Sequence, residues 1–146
     1  MELVFNKQTE NVSEVIEEQF EEIKKIYDVM ITKEKHYFNP NDNLKDISIE
    51  KIFYRKVIPE KGFIEVTQNP RSKSLWIAYA VSPNYRNQGI ATSLLADSMD
   101  YCKNNGYECV YAEAHFQNKK SKMLLKKHSF KEAYRVGNMI TFKKEF

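Results

Sequence analysis

The sequence predicts an α+β fold, a single domain over residues 1–146 built round a mixed β-sheet. Three observations predict it. Strand-like and helix-like stretches alternate along the chain, with no repeat, low-complexity tract or linker between them. The apolar run Leu75-Trp-Ile-Ala-Tyr-Ala-Val81 leads at once into a short glycine turn and an amphipathic helix. A chain of 146 residues, 42% hydrophobic and 13% aromatic, is enough to fill one core.

The first strand falls at Leu3–Phe5. The first helix, 12–31, carries Val12, Val15, Ile16, Phe20, Ile23, Ile26, Tyr27 and Met30 at helical spacing, a stripe that faces a core. Asn11, with Glu14 three residues on, has the pattern of its N-terminal cap. Glu10, Glu14, Glu17, Glu18, Glu21 and Glu22 crowd the same segment. They read either as a solvated face or as an acidic wall that attracts a cation. Residues 33–46, with Asn39-Pro-Asn-Asp-Asn43, are the least decided stretch and read as a short second helix plus loop.

Strands follow at Ile49–Val57, Gly62–Thr67 and Leu75–Val81. The last is apolar at nearly every position, as expected of a strand covered on both faces. Helix 90–104 presents Ala91, Leu94, Leu95, Ser98, Met99 and Cys102 at helical spacing. It stops at Asn104-Asn-Gly106, where Gly106 can take the left-handed conformation. In strand Cys109–Phe116 the side chains alternate. Val110, Ala112, Ala114 and Phe116 form a core side, while Cys109, Tyr111, Glu113 and His115 form a wet or functional one. Helix 118–128 and strands Lys131–Val136 and Met139–Lys144, the last two joined by a tight Val136-Gly-Asn138 turn, complete the chain.

Several classes are set aside. No apolar run approaches the roughly 20 residues that cross a bilayer. Met1-Glu-Leu-Val-Phe-Asn lacks the charged-then-apolar layout of a signal peptide, so the expected location is cytoplasmic, with no membrane partner. A net charge of +3 is too mild to argue for nucleic acid. Cys102 and Cys109 read as buried thiols rather than a disulfide or metal site, and no metal is expected. A homodimer is left open.

The chemistry is carried by Val81-Ser-Pro-Asn-Tyr-Arg-Asn-Gln-Gly-Ile-Ala91. A strand, a glycine turn and a helix aim several backbone N–H groups at one point. The helix dipole adds positive partial charge there, so phosphate is the natural ligand. The Gly-Lys-Ser/Thr of a nucleotide P-loop and the G-x-G-x-x-G of a dinucleotide loop are both absent. Arg86-Asn-Gln-Gly89-Ile-Ala91 fits R/Q-x-x-G-x-G/A and follows a Val-x-Pro. It resembles the acyl-CoA pyrophosphate loop of the GNAT superfamily of N-acetyltransferases.

That resemblance implies an α/β/α-layered α+β fold with a mixed, mostly antiparallel sheet of six or seven strands. Helices lie on both faces, and the sheet splays between its fourth and fifth strands to admit acetyl-CoA. It implies that the backbone of Tyr79, Ala80 and Val81 bonds the pantetheine arm and polarises the thioester carbonyl. Arg86, Asn87, Gln88, Gly89, Ile90, Ala91 and Thr92 would cradle the pyrophosphate. Further on, Asn118-x-x-Ser121, Leu125, Lys127 and Ser129-Phe130 fall on the family pattern N-x-x-A-x-x-x-Y-x-K-x-G-F. Asn118 then resembles the residue that contacts the pantetheine arm, and a helix cap alone is its other reading.

Two departures stand out. Ser129 replaces the usual glycine, which asks for some adjustment of the helix end. Leu125 stands where the family commonly has the tyrosine that protonates the departing CoA thiolate, so that role is not carried over. A thiol with pKa near 8.5 leaves tolerably without an acid. Ser129, Tyr134 and water remain open as substitutes.

Glu113 lies five residues before Asn118. In the branch that resembles the bacterial N-terminal protein acetyltransferases, a glutamate at that spacing is the general base. An amine with pKa of about 10.4 is protonated at pH 7, and freeing its lone pair costs about 4–5 kcal/mol. A positioned base contributes roughly 100- to 10,000-fold. The plainer reading of Glu113 is a strand glutamate paired with a lysine, and His115 reads as surface or pocket-lining. Lys119, Lys120, Lys122, Lys126 and Lys127 suit either the 3′-phosphate of CoA or a solvated face.

The resemblance therefore implies transfer of acetyl from acetyl-CoA to a primary amine by direct attack. Direct transfer fits better than a covalent intermediate, because neither cysteine shows a neighbouring histidine in a recognisable motif. A CoA-binding sensor or interaction module without catalysis is the alternative, supported by Leu125; transfer of a longer acyl group is a third. The short final turn leaves the cleft open, which favours a peptide or polyamine acceptor. The acceptor itself is not legible.

Overall fold

The computed structural model describes residues 2–30 and 51–146, so the helix-plus-loop expected over 33–46 lies outside the described residues. The described elements run β1 Leu3–Phe5, α1 Val12–Asp28, β2 Ile52–Ile58, β3 Gly62–Gln68 and β4 Leu75–Val81. After a 3-10 turn at Pro83–Tyr85 come α2 Ile90–Asn104, β5 Cys109–His115, α3 Lys119–Lys127, β6 Lys131–Val136 and β7 Met139–Glu145. All seven strands join one sheet in the order β1-β2-β3-β4-β5-β7-β6. Every neighbouring pair is antiparallel except β4–β5, which is parallel.

The apolar stripe of α1 lays Ile23, Ile26 and Met30 on one face of the sheet, against Val57, Phe63 and Ala80. The other face takes α2 through Leu94, Leu95, Met99 and Cys102, and α3 through Leu125. These pack on Ile64, Val66, Leu75, Ile77, Val110, Ala112, Ala114 and Phe142. Helices thus cover both faces, as expected.

Two features of α1 differ from the expectation. Asn11 stands at the N-cap, but its side chain makes no capping bond; only its carbonyl is used, by Val15 N at 3.0 Å. Gln19 sits fully buried in the apolar stripe. Its Nε2 donates to the carbonyls of Leu3 (2.9 Å) and Arg55 (3.0 Å), sewing α1 onto β1 and β2. On the same face Arg55 and Glu65 oppose each other in the β2–β3 register, both buried. Arg55 donates from Nε at 2.7 Å and pairs through its terminal nitrogen as well, so each charge is compensated where water is excluded.

The parallel ladder is short. β3 and β4 pair as far as Gly62↔Val81, and β5 and β7 as far as His115↔Met139. Between β4 and β5 only Trp76↔Tyr111 and Ile77↔Ala112 are paired. The sheet therefore splays between its fourth and fifth strands, and the edges of Ala78–Val81 and Glu113–His115 face each other outside any ladder. The splay also corrects one expectation: β4 is not covered on both faces, because Ala78 is exposed where the strands part.

Candidate functional site

The cleft opened by the splay has two walls. The first is the C-terminal half of β4 and the turn that follows it. Ser82 is buried and donates its N–H to Lys61 O at 2.8 Å, and Tyr85 N then returns to Ser82 O at 2.9 Å. Arg86 donates from Nε to Val81 O at 3.2 Å, tying the loop to the end of β4. Asn87 (φ 63°) and Gly89 (φ 77°) are both left-handed, and this double reversal brings the chain sharply into α2. Only glycine takes that conformation without strain.

Gly89 is the N-cap of α2 and offers no capping side chain, and no acidic residue lies in the first turn. Helical bonding starts with Ser93 N to Gly89 O at 3.0 Å, so the N–H groups of Ile90, Ala91 and Thr92 have no helical acceptor. With the helix dipole behind them they form an anion-binding end. A Cβ built on Gly89 would meet nothing within 4 Å, so the loop is open at that point.

Gly62 was not legible as a site residue, yet it sets this wall. A Cβ there would lie 2.9 Å from Ala80 O and 3.3 Å from Ile90 Cγ2. The missing side chain lets β3 press against the point where β4 hands over to α2. A glycine opening the strand before the motif strand was the available signal.

The second wall is β5. Val110, Ala112 and Ala114 are buried, Glu113 is exposed, and Cys109, Tyr111 and His115 are half-buried, so the predicted alternation holds. Glu113 follows the last β4–β5 pair, next to Ala78 on the face away from α2 and α3. Trp76 and Tyr111 stack at 5.0 Å where the ladder is still closed, flooring that end of the cleft. His115 accepts Gln117 N on Nδ1 at 3.1 Å and stacks on Phe116, which holds the turn into α3.

At the start of α3, Asn118 caps the helix by accepting Ser121 N on Oδ1 at 3.2 Å. Ser121 Oγ lies 2.7 Å from the Tyr79 hydroxyl, so a side chain from β4 reaches across to α3. Burial pushes Tyr79 up to about 12, against a smaller opposing effect of the Ser121 bond. Leu125, one turn beyond Ser121, is wholly in the core. Ser129 (φ 70°) is exposed at the far end of α3, away from the cleft. Tyr134 lies exposed on the edge strand β6, two strands from Glu113 on the Glu113 face.

Glu14, Glu17, Glu18 and Glu21 are exposed on α1, as is Glu10 just before it, and Lys126 of α3 pairs with Glu132 at 3.6 Å. Cys102 is buried, its thiol pushed up to about 12 by burial, while Cys109 is only half-buried. Among the described residues no group of three or more His, Cys, Asp or Glu could hold a metal, and no helix is long and apolar enough to cross a membrane.

The model of the acetyltransferase (GNAT) family matches residues 54–130, from β2 through both cleft walls to the end of α3. The chain belongs to the GNAT acetyltransferase family. Solved structures agree in fold. The ribosomal-protein-S18-alanine N-acetyltransferase of Escherichia coli is 14% identical with a TM-score of 0.71, covering 99% of this chain and 94% of its own. An N-acetyltransferase from Staphylococcus aureus Mu50 is 18% identical, TM-score 0.71, over 99% of this chain and 98% of its own. The Salmonella typhimurium protein yncA, solved with its cofactor acetyl-CoA, is 15% identical, TM-score 0.55, over 63% and 64%. The sequence matches no curated protein. GNAT membership supports N-acetyltransferase, and so acyltransferase, activity for this chain.

Proposed function

We propose that residues 1–146 form a single N-acetyltransferase domain that moves acetyl from acetyl-CoA to a primary amine by direct attack. The observation that carries this reading is the early end of the β4–β5 ladder at Ile77↔Ala112, with the uncapped α2 N-terminus at the far end of the same opened strand. A long ligand with an anionic middle fits that layout: backbone donors and acceptors along Tyr79, Ala80 and Val81, then N–H groups and open space from Arg86 to Thr92. The yncA structure, which holds acetyl-CoA, supports the same choice of ligand.

Acetyl-CoA supplies an acetyl group activated as a thioester. The chain's residues do the rest. The β4 backbone fixes the arm and polarises the carbonyl by hydrogen bonding. Asn118, whose Oδ1 is taken by the cap, presents its side-chain amide N–H to the arm. Glu113, beside Ala78 on the open face, receives the amine proton, directly or through water. The small Ala78 side chain leaves room above β4 for an amine. The hairpin Val136↔Met139 turns through Gly137 (φ 58°) with no long loop, so the acceptor side stays open, as a peptide or polyamine requires. The substrate named for the E. coli neighbour, an alanine of ribosomal protein S18, belongs to the peptide class.

A second reading, a CoA-binding sensor without catalysis, is favoured by one observation: Leu125, in the family's tyrosine position, is core. Turnover separates the two. Thiol release from acetyl-CoA is measured over an amine panel that includes spermidine and short peptides. Turnover with any amine supports the transferase. Background rates throughout, with tight acetyl-CoA binding, overturn it in favour of the sensor.

A further inference from the structure

We infer that Tyr79, held by Ser121, is a catalytic residue that donates a hydrogen bond to the departing sulfur, replacing the hydroxyl that Leu125 cannot supply. This rests on the transferase reading. Tyr79 is the one hydroxyl in the run Leu75–Val81, an otherwise apolar strand, and it lies in the opened segment of β4. Its neighbours Leu75 and Ile77 on the helix-facing side are core, so its ring points toward α2 and α3, and it packs against the cluster that contains Leu125. Its hydroxyl meets Ser121 Oγ at 2.7 Å. Ser121 is one turn before Leu125 on the same face of α3, and its own N–H is fixed by Asn118. The phenol thus reaches the helix stripe that would carry a tyrosine at 125, by way of the strand.

The alternatives are placed worse. Ser129 is at the wrong end of α3, Tyr134 is on the edge strand, and a tyrosine at 125 would have to displace core side chains. The raised pKa of Tyr79 matters to the chemistry. The hydroxyl stays protonated at any working pH and is a weaker acid than a thiol near 8.5. It therefore holds the sulfur as a donor without giving up its proton. In the transfer the acceptor nitrogen bonds to the carbonyl carbon, the C–S bond breaks and its electron pair stays on sulfur. The amine proton passes to Glu113, the Tyr79 O–H stabilises the thiolate, and the thiolate takes its proton from solvent on release.

The test uses bound CoA, read by the ultraviolet absorbance of its thiolate during a pH titration, beside steady-state kinetics. In wild type the thiol of bound CoA should ionise at a pH about one unit lower than in Tyr79→Phe, the size of one charged hydrogen bond. Ser121→Ala should fall between, because the phenol loses its guide but keeps its proton. The kcat of Tyr79→Phe should drop about tenfold with KM for acetyl-CoA unchanged. CoA that binds both proteins and ionises at the same pH in each overturns the role of Tyr79 alone. CoA that binds neither overturns the transferase reading, and this inference with it.

Discussion

Gly89→Val separates the cost of a strained backbone from the cost of a lost phosphate site. At φ 77° the residue is left-handed, which costs an L-amino acid about 1–2 kcal/mol and a β-branched one at the upper end. A Cβ there touches nothing within 4 Å, so no packing penalty is added. The fold should survive with Tm lowered by about 4–8 °C, at 2–4 °C per kcal/mol for a chain of this size. Binding should suffer far more. In the proposed site the branched carbons stand at the turn where the phosphate must approach the backbone leading to the N–H groups of Ile90, Ala91 and Thr92. Blocking two charge-assisted hydrogen bonds at about 1.5–3 kcal/mol each costs on the order of 3–6 kcal/mol, a loss of affinity beyond a hundredfold. Gly106→Val is the matched control: it is also left-handed (φ 87°), also open within 4 Å, and lies at the opposite end of α2. Calorimetry with acetyl-CoA and thermal melts on both variants decide the matter. Equal loss of stability with affinity lost only in Gly89→Val is the expected result. Undiminished affinity in a folded Gly89→Val, or equal losses in both, would refute the loop assignment.

Glu113→Gln should lower turnover at least tenfold near neutral pH with the dissociation constant for CoA unchanged, and the deficit should shrink at high pH where the amine is already free; a pH–rate profile checks it. Arg55→Met removes the guanidinium partner of a buried carboxylate and should cost about 3–5 kcal/mol by urea unfolding, most of it recovered in Arg55→Met/Glu65→Leu. Ser129→Gly relieves a left-handed serine (φ 70°) and should add about 0.5–1 kcal/mol, seen as a raised Tm. The His128 pKa is lowered from 6.5 by burial, then by Lys144 and Lys127, and its buried Nε2 has no hydrogen-bond partner. The unfolded chain therefore takes the proton more readily than the native one. The stability present above about pH 6.5 is lost as pH falls through the lower native value, and His128→Gln should flatten that decline in melts taken across it.

The legible parts of this molecule are those where one physical rule acts alone. Helix 90–104 and strands Leu75–Val81 and Lys131–Val136 appear at their expected bounds because periodicity and turn chemistry agree there. Gly106 takes its left-handed φ because nothing else ends α2 as cheaply. Sequence reading fails where one residue satisfies two demands. Position 19 lies on the apolar stripe of α1 by spacing, yet holds glutamine, because two carbonyls of β1 and β2 must be satisfied under the helix. Arg55 and Glu65 break the apolar pattern of buried strands, and only the β2–β3 register shows that they neutralise each other. Tyr79 is the sharpest case. In sequence it is one more β-favouring aromatic in a core strand, and its neighbours give no reason to separate ring from hydroxyl. Only the contact with Ser121, 42 residues later, shows that the ring packs against the core while the hydroxyl is tied to α3. On the role inferred above for Tyr79, that contact sets a phenol from β4 against the helix whose own tyrosine position holds Leu125.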